Sequence, residues 1–76
     1  MTYEEAINAI PRGIYHHYKG GTYEVLSIAQ YSEDDYPPVV IYRKLLNTGP
    51  LLVRPAETWN ETIIDNGFAH KRFVKI

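Results

Sequence analysis

The segment from Gly13 to Ala29 constrains the fold of this chain more than any other part of the sequence. It contains two aromatic-rich runs of extended character on either side of Lys19-Gly20-Gly21. Glycine supplies the positive φ angles that the twist of a hairpin turn demands, so the segment predicts a β-hairpin with strands at 13–19 and 23–31. A hairpin this close to the start of a 76-residue chain indicates a small, mainly β domain.

The second predicted strand changes the parity of its apolar residues. Tyr23 and Val25 lie on one face, whereas Leu26 and Ile28 lie on the other. A strand that changes its buried face midway is typical of a bulge or a sharp bend, and small barrels use such a strand to serve two sheets. We therefore predict a bulge in this strand.

Other local signals extend this prediction to the whole chain. Thr2 and Glu5 have the spacing of a capping box and Pro11 cannot continue a helix, which predicts a helix over 2–9. The other predicted elements are an acidic loop at 32–38, strands at 39–45, 51–54, 60–64 and 71–76, a turn at 47–50, a helical turn at 55–59 and a tight turn at 65–67.

Together these elements predict one domain, mainly β, over residues 1–76. We expect a small SH3-like antiparallel barrel over 12–76, with a short N-terminal helix and connector over 1–11. The apolar positions predicted to form the core are Ile7, Ile10, Val25, Leu26, Ile28, Val40, Tyr42, Leu52, Val53, Ile63, Phe73 and Val74.

Composition excludes several classes of function. The chain has no cysteine, which excludes disulfides and thiolate metal sites, and its net charge of −1 argues against a duplex-DNA binder. The longest apolar run is Val39 to Tyr42, too short for a membrane span, and the acidic first residues are unlike a signal peptide. We expect a cytoplasmic protein without membrane contact.

Neither catalysis nor metal binding is favoured by the residues available. Ser27 and Ser32 do not lie in a nucleophile-elbow context, and the acids at 33–35 read as a solvated loop. His16 and His17 point to opposite faces of a strand, so both cannot bind one metal ion from the same side. We expect no enzymatic activity, no cofactor and no metal.

A resemblance covers residues 13–76. From Gly13 to Gly20 the chain carries the pattern Gly-x-Tyr-x-His-Tyr-Lys-Gly. Later matching positions are Tyr23, Val25, Ala29, Ser32, Glu33, Val40, Tyr42, Arg54, Pro55, Trp59, Arg72 and Phe73. The chain thereby resembles the small bacterial domain-of-unknown-function family 1653, and the resemblance implies an SH3-type barrel. Leu52 stands where that family usually carries Trp, so a ligand surface shaped by that Trp in relatives would differ here.

The leading functional hypothesis is a non-catalytic module that binds a peptide or a small anionic ligand on an aromatic groove. The predicted site residues are Tyr15, His17, Tyr18, Lys19, Glu33, Tyr42, Arg54 and Trp59. Arg54 is central, because a planar guanidinium binds a carboxylate or phosphate through two parallel hydrogen bonds. The alternative for Arg54 is an internal ion pair with Glu33 or Glu57.

Two other functions stay open at the level of sequence. The same surface could bind single-stranded RNA or DNA, with its rings stacked on unpaired bases, although the net charge disfavours nucleic acid. It could also serve an accessory role, as an oligomerisation domain whose aromatic face is covered by a copy of itself.

Overall fold

The structure is a computed structural model that describes residues 1–33, 35–46 and 48–76. Asp34 of the predicted acidic loop and Asn47 of the predicted 47–50 turn lie outside the described residues. In chain order the elements are α1 (Tyr3–Ala9), β1 (Gly13–His17), β2 (Thr22–Ala29), β3 (Val39–Lys44), β4 (Leu52–Pro55), α2 (Ala56–Trp59), β5 (Thr62–Asp65), β6 (Phe68–Lys71) and β7 (Phe73–Lys75).

Five strands form an antiparallel sheet in the order β4-β3-β2-β1-β7, and β5 pairs with β6 in a separate hairpin. The prediction of a mainly β fold with a short N-terminal helix is confirmed. The predicted closure into a barrel is not seen among the described residues, where β4 and β7 are the two edges of an open sheet. The chain between β4 and β7 forms α2 and the separate β5–β6 hairpin, so among the described residues no strand pairs with both edges to close the sheet.

The first hairpin and the bulge are both confirmed. β1 and β2 pair from Gly13 opposite Val25 to His16 opposite Thr22. Between Val25 and Ser27 the register of β2 against β3 shifts, so that Leu26 is the extra residue. Because of this bulge, Val25 and Ile28 are both buried although they are three positions apart. Leu26 was predicted to belong to the core, but it is only half-buried and lies outside it.

The N-terminal helix has the predicted capping box. The Glu5 N–H donates to Thr2 Oγ1 at 3.1 Å, and the Thr2 N–H donates to the Glu5 carboxylate at 2.6 Å. Ala6 and Ile10 are the residues of this segment that reach the core, at 0% and 2% exposure. Ile7 was predicted there and is 43% exposed, because the buried stripe of so short a helix is centred on the i, i+4 pair.

The C-terminal third differs most from expectation. The helical turn predicted at 55–59 is confirmed as α2, which ends at Trp59. The tight turn predicted at 65–67 is also confirmed, with Asn66 and Gly67 at φ values of 51° and 80°. The strand that returns from this turn, β6, was not predicted, and the predicted strand at 71–76 is the shorter β7. Residues 68–71 lack the alternation of apolar and polar residues that marks a half-buried strand, and all four are exposed.

The observed core consists of Ala6, Ile10, Tyr15, Val25, Ile28, Val40, Tyr42, Ala56, Trp59 and Phe73. Two predicted core residues, Val53 and Val74, are 66% and 56% exposed, since the neighbouring residues Leu52 and Phe73 point inward instead. Ile63 lies in the separate hairpin and is half-buried. In the described part of the chain, no helix is long and apolar enough to cross a membrane.

Candidate functional site

An aromatic cluster lies at the centre of the molecule. The rings of Trp59 and Phe73 are stacked with centroids 3.5 Å apart, and Tyr42 and Tyr15 meet Trp59 edge-on at 4.8 Å and 5.4 Å. Edge-to-face contacts such as those of Tyr42 and Tyr15 with Trp59 add stabilisation beyond the buried area. The cluster joins residues that are far apart in the sequence, and it forms the floor beneath the predicted site.

Three predicted site residues belong to this core rather than to an exposed groove. Tyr15, Tyr42 and Trp59 are 5%, 6% and 2% exposed. Tyr15 tolerates burial because its hydroxyl donates to the Pro11 carbonyl at 2.6 Å, and burial raises the pKa of this phenol. The expectation that these rings line a ligand surface is corrected accordingly: they support the site from below.

His17 lies at the edge of the aromatic cluster. It is paired with Phe73 across β1 and β7, and its ring meets the rings of Phe73 and Tyr18 at centroid distances of 4.8 Å each. The Lys19 N–H donates to His17 Nδ1 at 3.1 Å, which places the proton of the neutral ring on Nε2. Partial burial lowers the pKa of His17, as do the charges of Arg54, Arg72 and Lys19.

Arg54 approaches the same Phe73 ring from β4. Its guanidinium carbon is 5.6 Å from the Phe73 ring centroid, and its Nε donates to the Tyr42 hydroxyl at 3.5 Å. Among the described residues no carboxylate pairs with Arg54. Glu57, one of the two partners considered from sequence, instead pairs with the N-terminal amine. The alternative of an internal ion pair is therefore not observed for the part of the chain that the structure describes.

Two further basic residues, Lys19 and Arg72, lie near His17 and Arg54, and we call these four residues the cation cluster. Arg72 is held in place, since its Nε donates to the Thr58 carbonyl at 3.1 Å and its Nη2 lies 3.4 Å from the Glu61 carboxylate. The Lys19 ammonium lies 5.7 Å from the centre of the Tyr18 ring, and among the described residues it has no carboxylate partner. Among the described residues, Arg54 and Lys19 are thus left without a compensating acid.

The remaining predicted site residue, Glu33, lies apart from the cation cluster. It is exposed in the loop before β3, where its carbonyl accepts from the Tyr36 N–H at 3.5 Å. No contact between described residues joins it to the cation cluster. Within the described ranges, no group of three or more His, Cys, Asp or Glu side chains is arranged to hold a metal ion.

Sequence reasoning placed His17, Tyr18, Lys19 and Arg54 in one site, and the structure brings them to the rim of the aromatic cluster. Arg72 was considered from sequence only as part of a basic stripe for nucleic acid and was not among the predicted ligand-binding residues, and Phe73 was assigned only to the core. The signal for both was the alternation of charged and apolar residues from Lys71 onward, which places a cation beside a buried ring at the end of a strand.

The geometry defines a small antiparallel β protein with a cluster of basic side chains on an aromatic floor. The family described as protein of unknown function (DUF1653) matches residues 13–75, and this chain belongs to that family. A crystal structure of a protein of the same family from Bordetella bronchiseptica is similar, with a TM-score of 0.78 and 32% identity over 92% of this chain and 91% of that chain. No curated protein matches the chain.

Proposed function

We propose that this protein is a non-catalytic binding module that holds the anionic group of a peptide or a small ligand at Arg54. The observation that carries the proposal is the half-buried Arg54 guanidinium without a carboxylate partner among the described residues. A partly desolvated cation that has no counter-ion gains free energy when an anion binds to it.

Arg54 is also held in a conformation suited to binding. Its contact with the Phe73 ring and the bond from Nε to Tyr42 restrict the guanidinium plane, while the terminal Nη groups make no hydrogen bond to described residues. A guanidinium restricted in this way loses less entropy when it forms a bidentate bond with a carboxylate or phosphate. The nearby charges of Lys19 and Arg72 attract the same ligand.

The chemistry of the cation cluster supports binding without catalysis. Three of its four side chains are lysine or arginine, and the acid beside it, Glu61, already accepts from Arg72. General acid–base chemistry on a bound ligand needs a poised donor and acceptor on the reacting atoms, whereas the acceptor nitrogen of His17, Nδ1, is already occupied by the Lys19 N–H.

We further infer that the open sheet is an incompletely closed SH3-like barrel. The eight-residue β2 pairs with both β1 and β3 and carries the bulge at Leu26. Bulges of this kind bend a strand and increase its twist, which allows one strand to serve two halves of a curved sheet.

The test is a titration of the protein with sodium phosphate and with sodium acetate at constant ionic strength, in which the amide chemical shifts are measured at each anion concentration. We expect shifts grouped around His17, Arg54 and Phe73, and a loss of affinity of about tenfold or more in Arg54→Gln, since a charge-assisted hydrogen bond contributes about 1.5–3 kcal/mol. Arg43→Gln is the matched control, because Arg43 is already paired with Glu24 at 2.7 Å.

Equal losses in the two arginine variants would mean a diffuse charge effect and would refute a site at Arg54. A short single-stranded oligonucleotide that shifts the same amides, with affinity falling steeply as salt rises, would favour the nucleic-acid alternative.

A further inference from the structure

We propose that the cation cluster takes a doubly charged oxyanion, a phosphomonoester or sulfate group, and that His17 takes up a proton from solvent as this anion binds. The inference rests on the proposed function, because it concerns the same site. It adds the charge of the ligand and a coupled proton.

The charge of the cation cluster indicates a dianion. Arg72 is compensated by Glu61 at 3.4 Å, whereas Arg54 and Lys19 have no carboxylate partner among the described residues. A single carboxylate would leave one of these two charges unbalanced, while a phosphomonoester or sulfate dianion balances both. The fork of donors on Arg54 also matches the geometry of two oxygens of such a group.

The same two charges act on His17. They and Arg72 disfavour the charged imidazolium, in addition to its partial burial. When a dianion balances Arg54 and Lys19, this repulsion is removed and the anion itself attracts the imidazolium. Binding of the anion and uptake of the proton therefore favour each other, and linkage requires the effect to be reciprocal.

The groups that face His17 come from each element packed against it. They are Tyr18 and Lys19 from the turn, Tyr23 from β2, Arg54 from β4, Arg72 from between β6 and β7, and Phe73 from β7. The partner of Arg72, Glu61, completes the set of charged side chains around it. Histidine is the side-chain type whose change of charge falls between about pH 5 and 8, so His17 is the residue of this set to which the coupled proton is assigned.

Proton uptake also changes a hydrogen bond that can be observed. In the neutral ring Nδ1 accepts from the Lys19 N–H at 3.1 Å. The added proton occupies Nδ1, which then becomes a donor and releases the Lys19 N–H. The Lys19 amide is therefore a reporter of the protonation step, distinct from the amides that report only the approach of an anion.

The experiment is a pH titration of the imidazole Cε1–H signals of the wild-type protein, in sodium sulfate, sodium acetate and sodium chloride at equal ionic strength. Sulfate keeps its double charge over the whole range. We expect saturating sulfate to raise the pKa of His17 by about one unit and acetate to raise it less. By linkage, the affinity for sulfate should then be about tenfold higher at the acidic limit, where His17 is protonated, than at the alkaline limit. The other two histidines, His16 and His70, are exposed and serve as internal controls for any general effect of the three salts.

A second variant separates charge from packing. His17→Gln keeps an amide donor without a titrating group, so it should bind sulfate with an affinity independent of pH. Inorganic phosphate and phenyl phosphate distinguish a free ion from an ester: tighter binding of phenyl phosphate identifies the ligand as a phosphomonoester, and equal affinity identifies it as the free ion.

Three results would overturn the inference. If sulfate binds and Arg54→Gln abolishes binding, but the midpoint of His17 moves no more than those of His16 and His70, the coupled proton is refuted and the proposed function stands. If acetate binds as tightly as sulfate, the dianion is refuted. If wild type and Arg54→Gln respond identically to every anion, the proposed function fails as well.

Discussion

Trp59 provides the sharpest test of the corrected site. Its indole is 2% exposed and lies against Phe73, Tyr42 and Tyr15 at centroid distances of 3.5, 4.8 and 5.4 Å. Sequence reasoning placed this ring on a ligand surface, whereas the structure places it in the core. A substitution should therefore affect the stability of the fold and leave the affinity of the folded protein for anions unchanged.

The expected magnitude is large for a chain of this size. Truncation of a buried Trp to Ala costs about 3–5 kcal/mol, through lost apolar burial and the cavity that remains. The edge-to-face pairs with Tyr42 and Tyr15 add about 0.5–1.5 kcal/mol each beyond area, which places Trp59 at the upper end of that range. Typical stabilities per residue give a 76-residue chain a total of about 4–11 kcal/mol, so Trp59→Ala removes a third or more of it.

The assay is urea denaturation followed by far-UV circular dichroism. With a denaturant dependence of about 1–3 kcal/mol per molar urea, the midpoint of Trp59→Ala should fall by more than about 1 M. Trp59→Phe keeps a ring against Phe73 and should lose less, which provides a folded variant for sulfate titration. Phe68→Leu is the control, since Phe68 is 70% exposed and its substitution should change stability by less than about 0.5 kcal/mol.

A small loss of stability in Trp59→Ala, together with weaker sulfate binding by folded Trp59→Phe, would contradict this reasoning. It would mean that the indole contacts the ligand after all.

The capping box predicts that Thr2→Ala costs about 1 kcal/mol, because the Glu5 N–H loses its side-chain acceptor. Thermal denaturation followed by circular dichroism would measure this loss, and an unchanged midpoint would show that α1 does not depend on its cap. Gly21→Ala should destabilise the first hairpin more than Gly20→Ala does, since both residues have positive φ but only at Gly21 would a Cβ lie 3.2 Å from the Tyr23 ring; the two melting temperatures, compared directly, decide this. Because the pKa of His17 is lowered in the folded protein, the unfolded chain binds this proton at a higher pH than the folded chain does as the pH falls. The contribution of His17 to stability is therefore complete above about pH 6.5 and declines as the pH falls below that value. Urea midpoints between pH 5 and 8 should show this decline in wild type and a smaller one in His17→Gln, and equal slopes would exclude His17 as its source.

Local features of the fold followed from the sequence. The capping box depends on residues three apart, and the first hairpin depends on the glycines of its turn. The bulge was visible as a change of parity between Val25 and Leu26. In each case the interaction that decides the structure lies between neighbours in the chain, so the pattern of residue types was sufficient.

The sheet edges and the last strands did not follow from the sequence. Closure of a barrel depends on whether β4 meets β7, two segments separated by α2 and a hairpin. The strand β6 carries no periodic signal of its own, because all four of its residues are exposed and its pairing with β5 alone defines it.

For the candidate site, the sequence alone determined which kinds of group were present: a turn with His and Lys beside Tyr18, and an arginine at the end of a strand before a proline. Only the tertiary structure decided that Tyr15, Tyr42 and Trp59 turn inward and that Arg54 and His17 approach the same Phe73 ring. The physical reason is that successive strand residues point to opposite faces, so a pairing register between distant segments selects which side chains are buried and which meet solvent. That register, with His17 opposite Phe73, is a property of the assembled sheet.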